Sequence, residues 1–191
     1  MDIKQRRHRE VAATIDAVKR ICGSGEAVDR SMLARIEAEL KKLAAQTDLF
    51  PEDEFGISPD ETIKLFRLAE DDDNRFALYY HCANAPAAVD PHNHTTWACI
   101  AGISGVEENT LYELKDGVPV ATATTEVAAE SSISLLPDDV HSIAARGSEP
   151  FANLHLYGFA IDKLHDRVFW NAEDRRWETS SPITGIVERR P

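Results

Sequence analysis

The acidic turn Asp71-Asp72-Asp73-Asn74 divides the chain into two textures, and the second admits few architectures. Beyond the turn come FALYYHCA, TTWACIAGIS, VEENTLYEL, PVATATTEV, SISLLP, HSIAA and FANLHLYGFA, short runs rich in β-branched and aromatic residues. Turn signals such as KDG, PDD and RGSEP separate them. Seven or more short strands with no helices between them bury their apolar sides by packing sheet on sheet. An antiparallel sandwich or barrel is expected.

Ahead of that turn the period is helical. Val11, Ile15, Val18 and Cys22 predict an amphipathic helix over 4–21, ended by GSGE at 23–26. Leu33, Ile36, Leu40 and Leu43 predict a second over 31–46, with Asp29 or Ser31 as its cap. Ser58-Pro59-Asp60-Glu61 offers a capping serine, a proline at the first helical position and a glutamate three on from the cap. It predicts a third helix through about Phe66. Residues 1–66 thus read as a helical segment packed on a barrel of residues 67–191, one compact domain overall. A chain of 191 residues with 43% hydrophobic content has enough apolar material for such a core.

Composition narrows the function. The net charge of −12 disfavours nucleic acid and anionic lipid as partners. No apolar stretch approaches the ~20 residues of a membrane span, and MDIKQRRHRE has no apolar run behind it, so no secretory signal is expected. Cys22, Cys82 and Cys99 are odd in number and scattered, forming no disulfide framework or zinc knuckle. A reduced, cytoplasmic location is expected.

Residues 90–97 read DPHNHTTW. In a strand, residues two apart project from one face, so a strand beginning there aims the imidazoles of His92 and His94 into one space. Two such ligands suit iron, zinc, copper or nickel. A third must come from elsewhere, and His141 is the candidate, because PDDVH at 137–141 sets it at the start of another strand just after a turn. His155 lies in NLHLY with Tyr157 on the same face.

Taken together, HNH, then Gly105, then Pro137 and His141 resemble the two motifs of the cupin superfamily. That superfamily's first motif is HxH followed by a glutamate and then a glycine, and its second has a proline shortly before a histidine. Here TTWACIAGIS holds no glutamate. Three histidines without a carboxylate resemble the thiol dioxygenases, cysteine dioxygenase and the bacterial enzymes that act on 3-mercaptopropionate. Gly105 with Asn109-Thr110-Leu111-Tyr112 is similar to the strand after their first motif, and LHLY at 154–157 to their strand bearing a catalytic histidine and tyrosine. The resemblance runs from about residue 64 to about residue 170. It implies a mainly β fold, a cupin double-stranded β-helix barrel with an N-terminal helical segment.

The resemblance also implies chemistry. His92, His94 and His141 would hold Fe(2+), and a small carboxylated thiol would be oxidised by O2 to its sulfinate. Neutral ligands leave the ion's charge uncompensated, which favours a thiolate. The family's Ser-His-Tyr series falls on Asn153, His155 and Tyr157, and the asparagine amide can still hydrogen-bond His155. Some cysteine dioxygenases carry a thioether between the tyrosine and a cysteine. Ala98 matches that cysteine here, and Cys99 beside it faces the other way, so no crosslink is expected. Cys22 and Cys82 read as small apolar core residues. The arginine that grips the substrate carboxylate falls one residue from Arg67 in one arrangement of the family, and in the other on Asp166 with Arg167 beside it, so that either arginine could serve. Expected partners are a small-molecule thiol and O2, with no nucleic acid and no membrane, and with the oligomeric state open. A cupin with Zn, Mn or Ni on the same histidines, catalysing isomerisation or another oxygenation, is an alternative, as is a metal- or ligand-binding cupin without turnover.

Overall fold

A computed structural model describes residues 2–23 and 27–191. Helices α1 (Ile3–Cys22), α2 (Arg30–Ala44) and the short α3 (Glu52–Phe55) precede the strands. Every apolar position that carried the helical periods of α1 and α2 is buried. Gly23, at φ +60°, ends α1 with its N–H on the Lys19 carbonyl. The rest of the expected GSGE stop, residues 24–26, lies outside the described residues. Asp29 is the cap of α2, its carboxylate accepting the Met32 N–H at 2.8 Å.

The strands are β1 (Ile63–Ala69), β2 (Arg75–Ala83), β3 (Ala88–His92), β4 (Ala98–Ser104), β5 (Glu107–Lys115), β6 (Val118–Val127), β7 (Ser132–Leu135), β8 (Val140–Ala145), β9 (Phe151–Phe159), β10 (Val168–Asn171), β11 (Arg176–Thr179) and β12 (Val187–Glu188). They form two six-stranded sheets, ordered β12-β1-β2-β9-β4-β7 and β11-β10-β3-β8-β5-β6. From β2 to β9 the chain crosses between the sheets at every connection except the β5–β6 hairpin. The resulting β2-β9-β4-β7 and β3-β8-β5-β6 layers are the double-stranded β-helix of the cupin barrel, as the motifs predicted.

Strand β9 shows how period two builds both faces of a wall. Leu154 and Leu156 pack in one cluster with Leu33, Ile36, Leu40 and Leu43 of α2. Each residue of that α2 stripe contributes roughly 1.5–3 kcal/mol by leaving water, which binds the helical cover to the outside of the barrel. The alternate residues Asn153, His155 and Tyr157 face inward, Tyr157 in the interior cluster with Ala98 and Ile100. Gly105 turns the chain between β4 and β5 at φ +64°, where a Cβ would stand 2.3 Å from the Pro150 carbonyl oxygen.

The third helix expected from Ser58 to Phe66 is not formed. Ser58 N–H does bond Glu61 Oε2 at 2.9 Å, and Glu61 N–H the Ser58 carbonyl at 3.0 Å. The motif closes one turn and stops. From Ile63 the chain is β1, paired antiparallel with β2 from Ile63↔Ala83 to Phe66↔Tyr80. Tertiary packing overrides the local signal: the Phe66 ring lies 5.2 Å from Phe55 and 6.0 Å from Tyr80, centroid to centroid.

Candidate metal centre

Strand β3 ends on His92, and the β3–β8 register sets His92 opposite His141, with ring centroids 4.6 Å apart. His94 lies beyond the strand. The chain turns through Thr95, at φ +54°, whose N–H bonds the Pro137 carbonyl at 3.1 Å. That turn carries His94 Nε2 to 3.2 Å from His92 Nε2 and 3.4 Å from His141 Nε2. The histidines expected from sequence do converge, but through a turn pinned to residue 137, where strand alternation was expected.

All three rings are buried. His92 Nδ1 lies 2.8 Å from the Asp90 carbonyl oxygen and His141 Nδ1 lies 2.9 Å from Asn109 Oδ1. An oxygen that can only accept requires each ring to carry its proton on Nδ1, leaving a bare lone pair on Nε2. Burial, then the charge of Arg167, pulls His92 down to about 3. Burial, then the neighbouring histidines, pulls His94 and His141 well below the ordinary imidazole value. Three neutral donors so placed fit one cation: nitrogens at ~2.0–2.2 Å from a metal stand about 3 Å or slightly more apart when cis. The all-nitrogen donor set suits iron, zinc, copper and nickel.

Tyr157 presents its ring edgewise to His94 at 5.2 Å between centroids, and its hydroxyl stands 3.1 Å from His155 Nδ1. Burial raises the Tyr157 phenol far above its usual value. Asn153 is buried on the same face, yet among the described residues neither end of its amide has a hydrogen-bond partner. The expected bond from Asn153 to His155 is not made, because His155 turns Nδ1 to Tyr157 and Nε2 toward Glu107.

Two residues that sequence reading did not single out as site residues complete the surroundings. Asn109 and Glu107 are fully buried, alternate residues of β5, with Asn109 Nδ2 donating to Glu107 Oε1 at 2.8 Å. Their signal in the sequence is a period-two pair of polar residues at the start of a largely polar strand, which reads equally as a solvated edge. Glu107 also belongs to a second group of donors, with His81 and His155, whose ligand atoms lie within 4.8 Å of one another. Burial raises the Glu107 carboxyl, but its hydrogen bonding and the adjacent rings outweigh burial and hold it below the ordinary value.

The two arginines are placed differently. The Arg67 guanidinium is paired with Glu70, with Asp162 at 2.7 Å and with Glu188 at 3.6 Å. Arg167 is buried beside the histidines, its Nε donating to the Asn93 carbonyl at 3.4 Å and its guanidinium 5.1 Å from the Phe169 ring. Phe169 in turn stacks on His92 at 4.8 Å. Among the described residues no carboxylate forms an ion pair with Arg167. Ala98 stands opposite Tyr157 across β4 and β9, whereas Cys99 faces the helices with Leu154 and Leu156, so the two side chains lie on opposite sides of the sheet.

No protein-family model matches the sequence, and no curated protein matches it. Among solved structures the chain is similar to an uncharacterized conserved protein with a double-stranded β-helix domain from Klebsiella pneumoniae, at 19% identity over 58% of this chain and 84% of that one, with a TM-score of 0.46. It is similar to a cupin superfamily protein from Desulfitobacterium hafniense, at 13% identity over 60% and 88%, TM-score 0.45. It is also similar to KdgF from Halomonas sp., at 13% identity over 56% and 89%, TM-score 0.44. Among the described residues no helix is long and apolar enough to cross a membrane.

Proposed function

We propose that the chain is an Fe(2+)-dependent thiol dioxygenase that converts a small carboxylated thiol, R–SH, with O2 into its sulfinate, R–SO2H. The observation that carries the reading is a buried Arg167 with no carboxylate partner among the described residues, set beside a group of three histidine donors without a carboxylate. Such a site has positive charge to offer at Arg167 and no carboxylate among its three donors, so it favours a substrate that brings both a thiolate and a carboxylate.

His92, His94 and His141 would hold ferrous iron, which when bound would supply the redox chemistry between thiol and dioxygen. Arg167 grips the substrate carboxylate with two parallel N–H bonds, and the Asn93 carbonyl aims the guanidinium. We assign the role to Arg167 and not to Arg67, whose guanidinium is already paired with Glu70 and Asp162. Tyr157 keeps its phenolic proton and stands with its ring edge-on to His94. His155 holds that hydroxyl at 3.1 Å. Phe169 and the ring of Tyr157 exclude water from the donors.

The test is oxygen uptake by the iron-loaded protein with a panel of thiols. Uptake with 3-mercaptopropionate or cysteine, and little with thiols lacking a carboxylate, is expected. Bound iron with no uptake for any thiol would overturn the reading.

A further inference from the structure

The hydrogen-bond pattern around β5 carries an inference that partly rests on the reading above, since it concerns how His141 and His155 are held. We propose that Glu107 is the positioning residue that fixes, in opposite senses, which ring nitrogen bears the proton in His141 and in His155.

One arm runs through Asn109. Glu107 Oε1 accepts the Asn109 amide N–H at 2.8 Å, which leaves Asn109 Oδ1 facing His141 Nδ1 at 2.9 Å. A carboxylate cannot donate, so the amide has one orientation, and the orientation keeps the His141 proton on Nδ1. The arrangement is a carboxylate–histidine–metal relay lengthened by one amide.

The other arm is Glu107 Oε2. It lies 3.7 Å from His81 Nδ1 and 3.8 Å from His155 Nε2, and none of these three buried atoms has another hydrogen-bond partner. Two fates are open to such a group: a cation among the three, or two N–H donors turned to one carboxylate oxygen. Spacing decides. The metal group closes to 3.2 and 3.4 Å, whereas this one is wider at 3.7 and 3.8 Å. A cation at ~2.1 Å from each atom needs the tighter set. A small rotation of either ring brings its N–H to about 2.8 Å from the oxygen, a charge-assisted hydrogen bond. His155 is then protonated on Nε2, and its bare Nδ1 accepts the Tyr157 O–H.

The experiment reads the ring nitrogens by 15N–1H correlation of labelled, metal-free protein, which needs no turnover, and follows metal binding separately by titration with Zn2+. The wild type is expected to show His141 protonated on Nδ1 and His155 on Nε2. In Glu107→Gln the amide turns its N–H toward His155, so His155 switches to the Nδ1–H form, while the amide oxygen still accepts the Asn109 N–H and leaves His141 unchanged. In Asn109→Ala the Zn2+ dissociation constant rises ~10–100-fold with the His155 pattern kept. His155 protonated on Nδ1 in the wild type, or an unaltered His155 in Glu107→Gln, overturns the proposal. So does a second Zn2+ per chain that is lost in His81→Ala. The wild-type spectrum decides even where Glu107→Gln fails to fold. Absence of thiol oxidation would sink the proposed activity and leave these spectra untouched.

Discussion

His92 and His141 stand opposite each other across β3 and β8, and each has its Nδ1 on an oxygen acceptor and its Nε2 turned toward His94. Two distant stretches of sequence thereby bring two imidazole donors together, and the turn at Thr95 adds a third, a group that could hold a metal ion. On the proposed reading, preorganisation of this kind would put the protein's contribution into geometry and leave the redox chemistry to the metal.

Removing one corner of the triad should abolish binding. His94→Ala is expected to lower bound iron from about one equivalent to near none by elemental analysis, with the far-ultraviolet circular dichroism retained. The wild type, in turn, should gain about 2.7 kcal/mol of stability at a metal concentration a hundred times its Kd, measured by denaturant titration with and without chelator.

The arginines should separate by readout. Arg167→Ala is expected to raise KM for a carboxylated thiol roughly 10–100-fold, the loss of a charge-assisted pair, with stability little changed. Arg67→Ala should leave KM alone and destabilise the fold by about 3 kcal/mol, the lower end for a broken buried pair, because Glu70 and Asp162 lose their common partner. Steady-state kinetics and urea unfolding of both variants check this together.

Tyr157→Phe should keep iron and slow turnover, since the phenyl ring preserves the contact with His94 and only the hydroxyl on His155 is lost. A loss of about 10²-fold in kcat is the expected scale for one positioned proton-bearing group. Equal kcat in the two proteins would remove Tyr157 from the chemistry.

Acid should weaken the metal-free protein. Burial, then His155, pulls His81 down to about 3, against an unfolded value of ~6.5. The unfolded chain therefore takes up the His81 proton first, and stability present above the unfolded value is lost as pH falls from ~6.5 toward 3. One such group gives a slope of up to about 1.4 kcal/mol per pH unit. His81→Phe should reduce the slope by one proton's share in urea unfolding between pH 6.5 and 4, and an unchanged slope would contradict the burial argument.

How far the sequence foretold the molecule follows from where its signals are local. The α2 stripe and the alternation in Asn153-Leu154-His155-Leu156-Tyr157 are set by the side chains themselves, and both appear as read. Ser58-Pro59-Asp60-Glu61 carries a helix-start signal, but Phe66 finds Phe55 and Tyr80 only if the chain extends, and that long-range gain decides. Strands β10, β11 and β12 are short and half-exposed, with no strong period to show them. His92, His94 and His141 were legible because metal-ligand chemistry leaves a spacing. Glu107 and the role of Asn109 were not, because a polar pair on a strand becomes informative only once both side chains are known to be buried.

The central claim is direct transfer of dioxygen to a thiol sulfur at the His92–His94–His141 centre. Mass spectrometry of the product formed by the iron-loaded protein from 3-mercaptopropionate or cysteine under 18O2 tests it. The account predicts a sulfinate with both new oxygens labelled, and no product in His94→Ala. Disulfide with reduced oxygen as the sole product, or a sulfinate whose oxygens come from water, would contradict it.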